Sequence, residues 1–145
     1  MARVSTYLNF PRSTEEAFNF YRSVFGTEFL GPIMRFGEVP AQPGQPPLSD
    51  ADKNLAMHVE LPILAGHVLM GTDAPESMGF TLTQGNTVTI NLEPDTRTET
   101  DKLFAGLGKG GKADMPLQEM FWGDYFGILV DRYGIRWMFN CSSKT

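Results

Sequence analysis

The chain states one plan twice, and this repeat restricts the folds open to it more than any other feature. Laid 82 residues apart without gaps, Asn9 falls on Asn91, Phe10 on Leu92, Tyr21 on Leu103, Phe25 on Leu107 and Gly26 on Gly108. Identity between the halves is low, so the order of elements carries the argument. Each half reads strand, helix, then three strands. In the first half, residues 6–10 are rich in strand formers and Pro11 stops them. A helix then starts from a Ser13 or Thr14 cap, with Glu15 and Glu16 favourable in its first turn. Ala17, Phe20, Tyr21, Val24 and Phe25 recur at helical spacing, and Gly26 caps the end. Residues 28–36 read as a second strand.

Residues 37–54 break the rhythm. Pro40, Pro43, Pro46 and Pro47, with Gly37 and Gly44, make a long mobile loop, either a surface insertion or a flap over a pocket. Alternation returns at 55–63. Leu55, Met57, Val59, Leu61 and Ile63 take one face; Ala56, His58, Glu60 and Pro62 take the other. Residues 64–66 turn the chain, 67–70 return as the hairpin partner, and 71–85 look like loop. The second half offers a strand at 87–92, a helix at 98–107 ended by Gly108, Gly110 and Gly111, and strands at 118–122 and 125–130. A turn at 131–134, fixed by Asp131, leads to a last strand at 135–141. There Ile135, Trp137 and Phe139 pack on the helix, while Arg136, Met138 and Asn140 face the other way. The fold class is α+β: two βαβββ modules, about 1–73 and 86–145, in a single domain 1–145. Their curved mixed sheets enclose a cleft, a natural ligand site.

Composition narrows the function classes. Hydrophobic residues are 41% of the chain and charged ones 20%, an ordinary globular balance. Lys and Arg total 12 against 17 Asp and Glu, for a net charge of −5, so the basic footprint of a nucleic-acid binder is missing. A single cysteine, Cys141, makes neither an internal disulfide nor a cysteine-based zinc site, and no activating base stands beside it in sequence. The N-terminus lacks the apolar core of a signal peptide, and residues 61–71 are too short and too interrupted to span a bilayer. The expectation is a soluble, cytoplasmic protein.

Residues 7–10 (Tyr-Leu-Asn-Phe) and 16–26 resemble the opening of PhnB-like proteins, and Phe121-Trp122-Gly123-Asp124 with Asp131-Arg132-Tyr133-Gly134 resembles their closing signature. These belong to the vicinal oxygen chelate superfamily, with glyoxalase I, extradiol dioxygenases and bleomycin-resistance proteins. The resemblance covers nearly the whole chain apart from the Pro-rich loop. It implies a glyoxalase-like fold and a homodimer. PhnB-like proteins often carry a methyltransferase name, but this sequence has no Gly-rich strand–turn–helix to hold the nucleotide part of a methyl donor.

Metal-dependent members of the superfamily place His, Gln or Glu on the first and last strands of each module, where the ion acts as a Lewis acid. The corresponding positions here are Thr6, Leu69 or Met70, Thr87 or Val88, and Met138. A one-residue slip brings Tyr7 or Trp137. Imidazole and carboxylate are missing, so no metal ligands and no cofactor are assigned. The remaining candidates are binding residues. His58 and Glu60 share a strand face and can converge as a cleft pair, an acid–base pair or a metal pair; otherwise Glu60 simply meets a base such as Arg136. Trp122 and Asp124 form either a packed corner, with the carboxylate on backbone amides, or an aromatic wall for a ligand. Arg136 holds an anionic group or pairs with Glu60 or Asp124, and Met138 lies beside it. The resulting expectation is a protein that binds a small organic ligand without the usual metal site. The alternatives are a divalent-metal-dependent glyoxalase, isomerase or dioxygenase, and a vestigial pocket whose output is dimer assembly.

Overall fold

A computed structural model describes residues 1–145 and divides them into two compact units, Met1–Leu82 and Thr83–Thr145. The first contains β1 (Thr6–Phe10), α1 (Thr14–Phe25), β2 (Met34–Arg35), α2 (Asp50–Lys53), β3 (Ala56–Pro62) and β4 (Val68–Asp73). Its sheet runs β1-β4-β3-β2, with β1 parallel to β4 and the other pairs antiparallel. The second contains β5 (Ile90–Leu92), α3 (Arg97–Leu107), β6 (Lys112–Glu119), β7 (Tyr125–Val130) and β8 (Arg136–Cys141). Its order, β5-β8-β7-β6 with β5 parallel to β8, repeats the first. The α+β class and the duplicated strand–helix–strands plan are both present, in two open four-stranded mixed sheets. No helix is long and apolar enough to cross a membrane.

In the first unit the helix covers one sheet face. The buried stripe of α1 is Thr14, Ala17, Phe18 and Tyr21, which corrects the expected stripe that included Phe20. Phe18 is drawn in because it stands edge-on to both Phe10 and Tyr21. It also lies over Gly71, where a Cβ would fall 2.5 Å from its ring. Only glycine lets the helix approach β4 that closely. The helix start is also held from a distance. Ser13 makes no side-chain cap; the Thr14 N–H donates instead to the Asp73 carboxylate at 3.0 Å. The other oxygen of Asp73 accepts the Ala56 N–H at 2.9 Å, so one buried carboxylate joins the starts of α1 and β3 to the end of β4.

Several expected boundaries shift. The strand foreseen at 28–36 is only Met34–Arg35, because a 3-10 turn follows at Phe36–Glu38. The loop at 37–54 ends in a short helix, α2, capped by the Ser49 hydroxyl. Asp52 within it is buried, pairs with Arg12 at 3.0 Å and accepts the Ser77 hydroxyl at 2.6 Å. The Ser77 hydrogen bond, and then Arg12, hold the Asp52 carboxyl below its ordinary range. The fourth strand continues through Gly71 to Asp73, where loop was expected.

In the second unit, β5 is shorter than foreseen, covering Ile90–Leu92. The helix α3 is capped by Thr96, whose hydroxyl accepts the Glu99 N–H at 3.1 Å. Under it lie Leu92, Leu129, Trp137, Phe139 and Cys141, all buried. Cys141 takes the place expected for Ile135, which stays partly exposed ahead of the strand. Asp131 fixes the β7–β8 turn. It accepts from the Tyr133 and Ile135 N–H groups at 2.8 and 3.0 Å and from the Trp137 indole at 2.9 Å. Of the strand expected at 118–122 only residues 118–119 are strand, as the end of β6, and 120–122 belong to the following turn; β6 begins at Lys112 and tolerates Pro116 because it is a bulged edge strand.

Gly71→Ala is expected to cost about 1–3 kcal/mol by forcing Phe18 away from β4. Asp73→Ala is expected to cost about 2–4 kcal/mol, since two buried N–H donors lose their acceptor, and Asp73→Asn less. Urea unfolding of the three variants beside the parent chain measures both.

Candidate functional site

With one face of each sheet under a helix, the opposite faces carry the polar side chains. In the first unit, the register pairs Tyr7 and Glu60 with Met70 from its two sides, and Asn9 with Thr72. These residues and His58 lie opposite the buried Leu8, Val59, Leu61 and Leu69. His58 and Glu60 do converge. The His58 Nε2 lies 3.2 Å from a Glu60 carboxylate oxygen. A carboxylate only accepts, so Nε2 carries the proton in this arrangement and donates. The other ring nitrogen, Nδ1, then accepts the Tyr7 hydroxyl at 3.1 Å. Arg3 reaches the second Glu60 oxygen at 3.5 Å. The result is a chain of phenol, imidazole and carboxylate along one sheet face. Desolvation, and then the negative charge of Glu60, raise the Tyr7 pKa above its ordinary value, while Thr72 pulls it down. His67 does not join them; its Nε2 pairs with the Thr6 hydroxyl at 2.9 Å.

A divalent ion of the vicinal oxygen chelate type would need hard donors where β1 meets β4 and where β5 meets β8. The open-face pairs there are Tyr7 with Met70, Asn9 with Thr72, and Asn91 with Met138. Leu69 is fully buried on the helix side, and Val88 precedes β5. Two thioethers, a phenol, a hydroxyl and two amides include none of the imidazole or carboxylate donors that such a centre uses. No group of three or more His, Cys, Asp or Glu side chains comes together to hold a metal ion.

The second unit presents different chemistry. Arg136, Met138 and Asn140 alternate along the open face of β8 and lie opposite Val130, Ile128 and Phe126 of β7. Trp122 lies beyond the end of β6, in the turn before β7, and is 48% exposed. It stands edge-on to Phe126, with centroids 5.9 Å apart, and to Phe121 at 5.0 Å. The turn is closed by the Met120 N–H on the Asp124 carbonyl at 2.8 Å. The Asp124 carboxylate accepts the Asn140 amide at 2.9 Å, in place of the backbone amides expected for it. Arg136 meets Asp114 at 3.4 Å, rather than either acid foreseen for it.

Sequence reading missed Tyr7 and Asp114. Tyr7 shows only as an outward position of a short strand, and its meeting with His58 depends on strand pairing between residues far apart in sequence. Asp114 is placed by the register shift between Ala113 and Met115, which simple alternation does not reveal.

Comparison with known proteins adds a family and a fold. The family model described as 3-demethylubiquinone-9 3-methyltransferase matches residues 2–139. The crystal structure of protein PA1353 from Pseudomonas aeruginosa is 30% identical, with a TM-score of 0.81 over 97% of this chain and 98% of that one. The putative 3-demethylubiquinone-9 3-methyltransferase, PhnB protein, from Bacillus cereus is 30% identical, with a TM-score of 0.69 over 97% and 99% of the two chains. A glyoxalase/bleomycin resistance protein/dioxygenase family enzyme from Burkholderia phytofirmans, 21% identical, shares the fold with a TM-score of 0.61 over 95% and 98%.

The phenol gives a direct test of the network on the first sheet. Its raised pKa means that the contribution of this group to stability is fully present below the ordinary tyrosine value and is lost as pH rises through the folded value. Glu60→Gln removes the nearby negative charge and is expected to lower the Tyr7 pKa, yet leave it above ordinary because desolvation is the larger cause. Phenolate absorbance against pH, with Tyr7→Phe to assign the transition, reads this out.

Proposed function

The chain belongs to the 3-demethylubiquinone-9 3-methyltransferase family, as a PhnB-like member of the glyoxalase/bleomycin resistance superfamily, and on that premise we propose that it binds a small organic molecule without the superfamily's usual metal site. The observation that carries this reading is the half-exposed Trp122, standing against Phe126 beside an Asn140 amide that Asp124 fixes. A flat apolar wall next to one oriented polar group suits an aromatic or heteroaromatic ligand. The side chains of Met138 and Ile128 continue the apolar lining along the same face.

Methyl transfer, which the family description names, finds no support in the local chemistry. The β1–α1 connection is Pro11-Arg12-Ser13, and its helix start is occupied by the Asp73 carboxylate rather than open to a ligand. The second reading, a divalent-metal-dependent glyoxalase, isomerase or dioxygenase-type enzyme, is favoured by one observation, the contact of His58 with Glu60. Both ring nitrogens of His58 are already engaged, so an ion there would have to displace Glu60 or Tyr7. The working unit in this reading is a cytoplasmic homodimer. Unpaired sheet edges are surfaces that a second copy covers.

Native mass spectrometry after equilibration with zinc, nickel, manganese and ferrous iron is expected to give a metal-free dimer. One tightly held ion per site would overturn the reading and restore the metalloenzyme. Saturation-transfer NMR with benzamide, a neutral aromatic probe, is expected to show binding that Trp122→Ala weakens about 2- to 10-fold, the worth of one aromatic pair.

A further inference from the structure

We propose that Arg136 is the receptor for a carboxylate group, so that the ligand of the second sheet is an organic monoacid. The proposal rests on the small-molecule reading above and adds the chemical class of the ligand.

The guanidinium is only partly used. One terminal nitrogen, Nη1, reaches Asp114 at 3.4 Å, well beyond the roughly 2.7–2.9 Å of a strong charge-assisted bond. The Nε atom is buried and has no acceptor. A buried donor on a charged group is costly to leave unpaired, which favours any rearrangement that brings it an acceptor. The arginine opens on a hollow of about 430 Å³ at the β7–β8 hairpin end of the open face, lined also by Gln84, Gly85, Asn86, Val130 and Gly134. Its wall is shaped by one glycine. Gly134 has φ 88°, and a Cβ there would overlap the Gln84 amide, which donates to the Tyr133 carbonyl at 3.3 Å. Gln84 therefore stays seated beside the arginine.

The chemistry selects among anions. Nε is buried in the present rotamer, so the side chain has to turn for a carboxylate to lie along the Nε–Nη2 edge; there it takes two parallel N–H bonds, a geometry that a lysine cannot offer. One guanidinium already facing Asp114, on a chain of net charge −5, cannot balance a dianion, which disfavours phosphate. Position sets a length. Arg136 and Asn140 lie four residues apart on β8, roughly 13 Å at about 3.3 Å per residue. A ligand holding an aromatic ring at Trp122 and its acid at Arg136 must bridge that span.

The test follows by NMR the Arg136 Nε–Hε resonance, assigned by its loss in Arg136→Lys, together with the backbone amides of Gly85 and Gly134, which report in the parent chain and the variants alike, while acetate, inorganic phosphate or benzamide is added. Acetate is expected to move it saturably, and more tightly than phosphate does. Arg136→Lys, with the charge kept and the fork removed, is expected to weaken acetate binding at least about 10-fold. Asp114→Asn, which removes the competing carboxylate, is expected to tighten it. A saturable acetate response that Arg136→Lys leaves unchanged overturns the proposal, and so does the absence of any saturable response in both the parent chain and Asp114→Asn. Benzamide separates the two readings. If it binds while acetate does not, the acid site falls and the small-molecule reading stands. If acetate binds at Arg136 and benzamide does not bind, the aromatic wall falls instead.

Discussion

The first unit depends on one buried carboxylate. Asp73 sits at the end of β4, and its two oxygens take the N–H groups that begin α1 and β3. Without it, the helix would have a free first turn and the neighbouring strand a free start. With it, α1 is fixed along β4, Phe18 settles over Gly71, and the apolar side chains of β1, β3 and β4 are used on that side. The opposite face then has to carry Tyr7, His58 and Glu60. Asp131 plays a comparable part in the second unit, where it ties a turn to the indole of Trp137. In both units, a buried carboxylate that ties turns and element starts together decides which side chains remain available on the open face.

The same strand order supports two different surfaces. The first sheet presents a connected acid–base chain in which each polar atom already has a partner. The second presents an aromatic corner, an amide held by an acid and an arginine with an unused edge. A duplicated scaffold can let one copy hold internal polar order while the other offers unsatisfied donors. This contrast, rather than any shared motif, places the proposed ligand on the second sheet.

Local periodicity made the skeleton legible. Strand, helix and strands were readable twice because several breaks fall at Pro or Gly: Pro11 after β1, Gly26 after α1, Pro94 after β5, Gly108 after α3 and Gly134 before β8. The outward placement of His58, Glu60, Arg136, Met138 and Asn140 followed from alternation alone. The sequence could not show contacts that depend on distant pairing. The cap of α1 comes from Asp73 rather than Ser13, and Phe18 rather than Phe20 enters the core because β4 presents a glycine there. Arg136 meets Asp114 because β6 bulges. Tyr7 joins His58 because β1 and β3 both flank β4.

The two tryptophans occupy opposite extremes of environment. Trp137 is fully buried, with its indole N–H bonded to Asp131; Trp122 stands half in water at the β6–β7 turn. Their emission should therefore separate into a blue component from Trp137 and a red component from Trp122. Loss of the core shifts the first, and occupation of the open face changes the second. The chain carries its own pair of optical reporters, one for folding and one for occupancy, and neither requires a label.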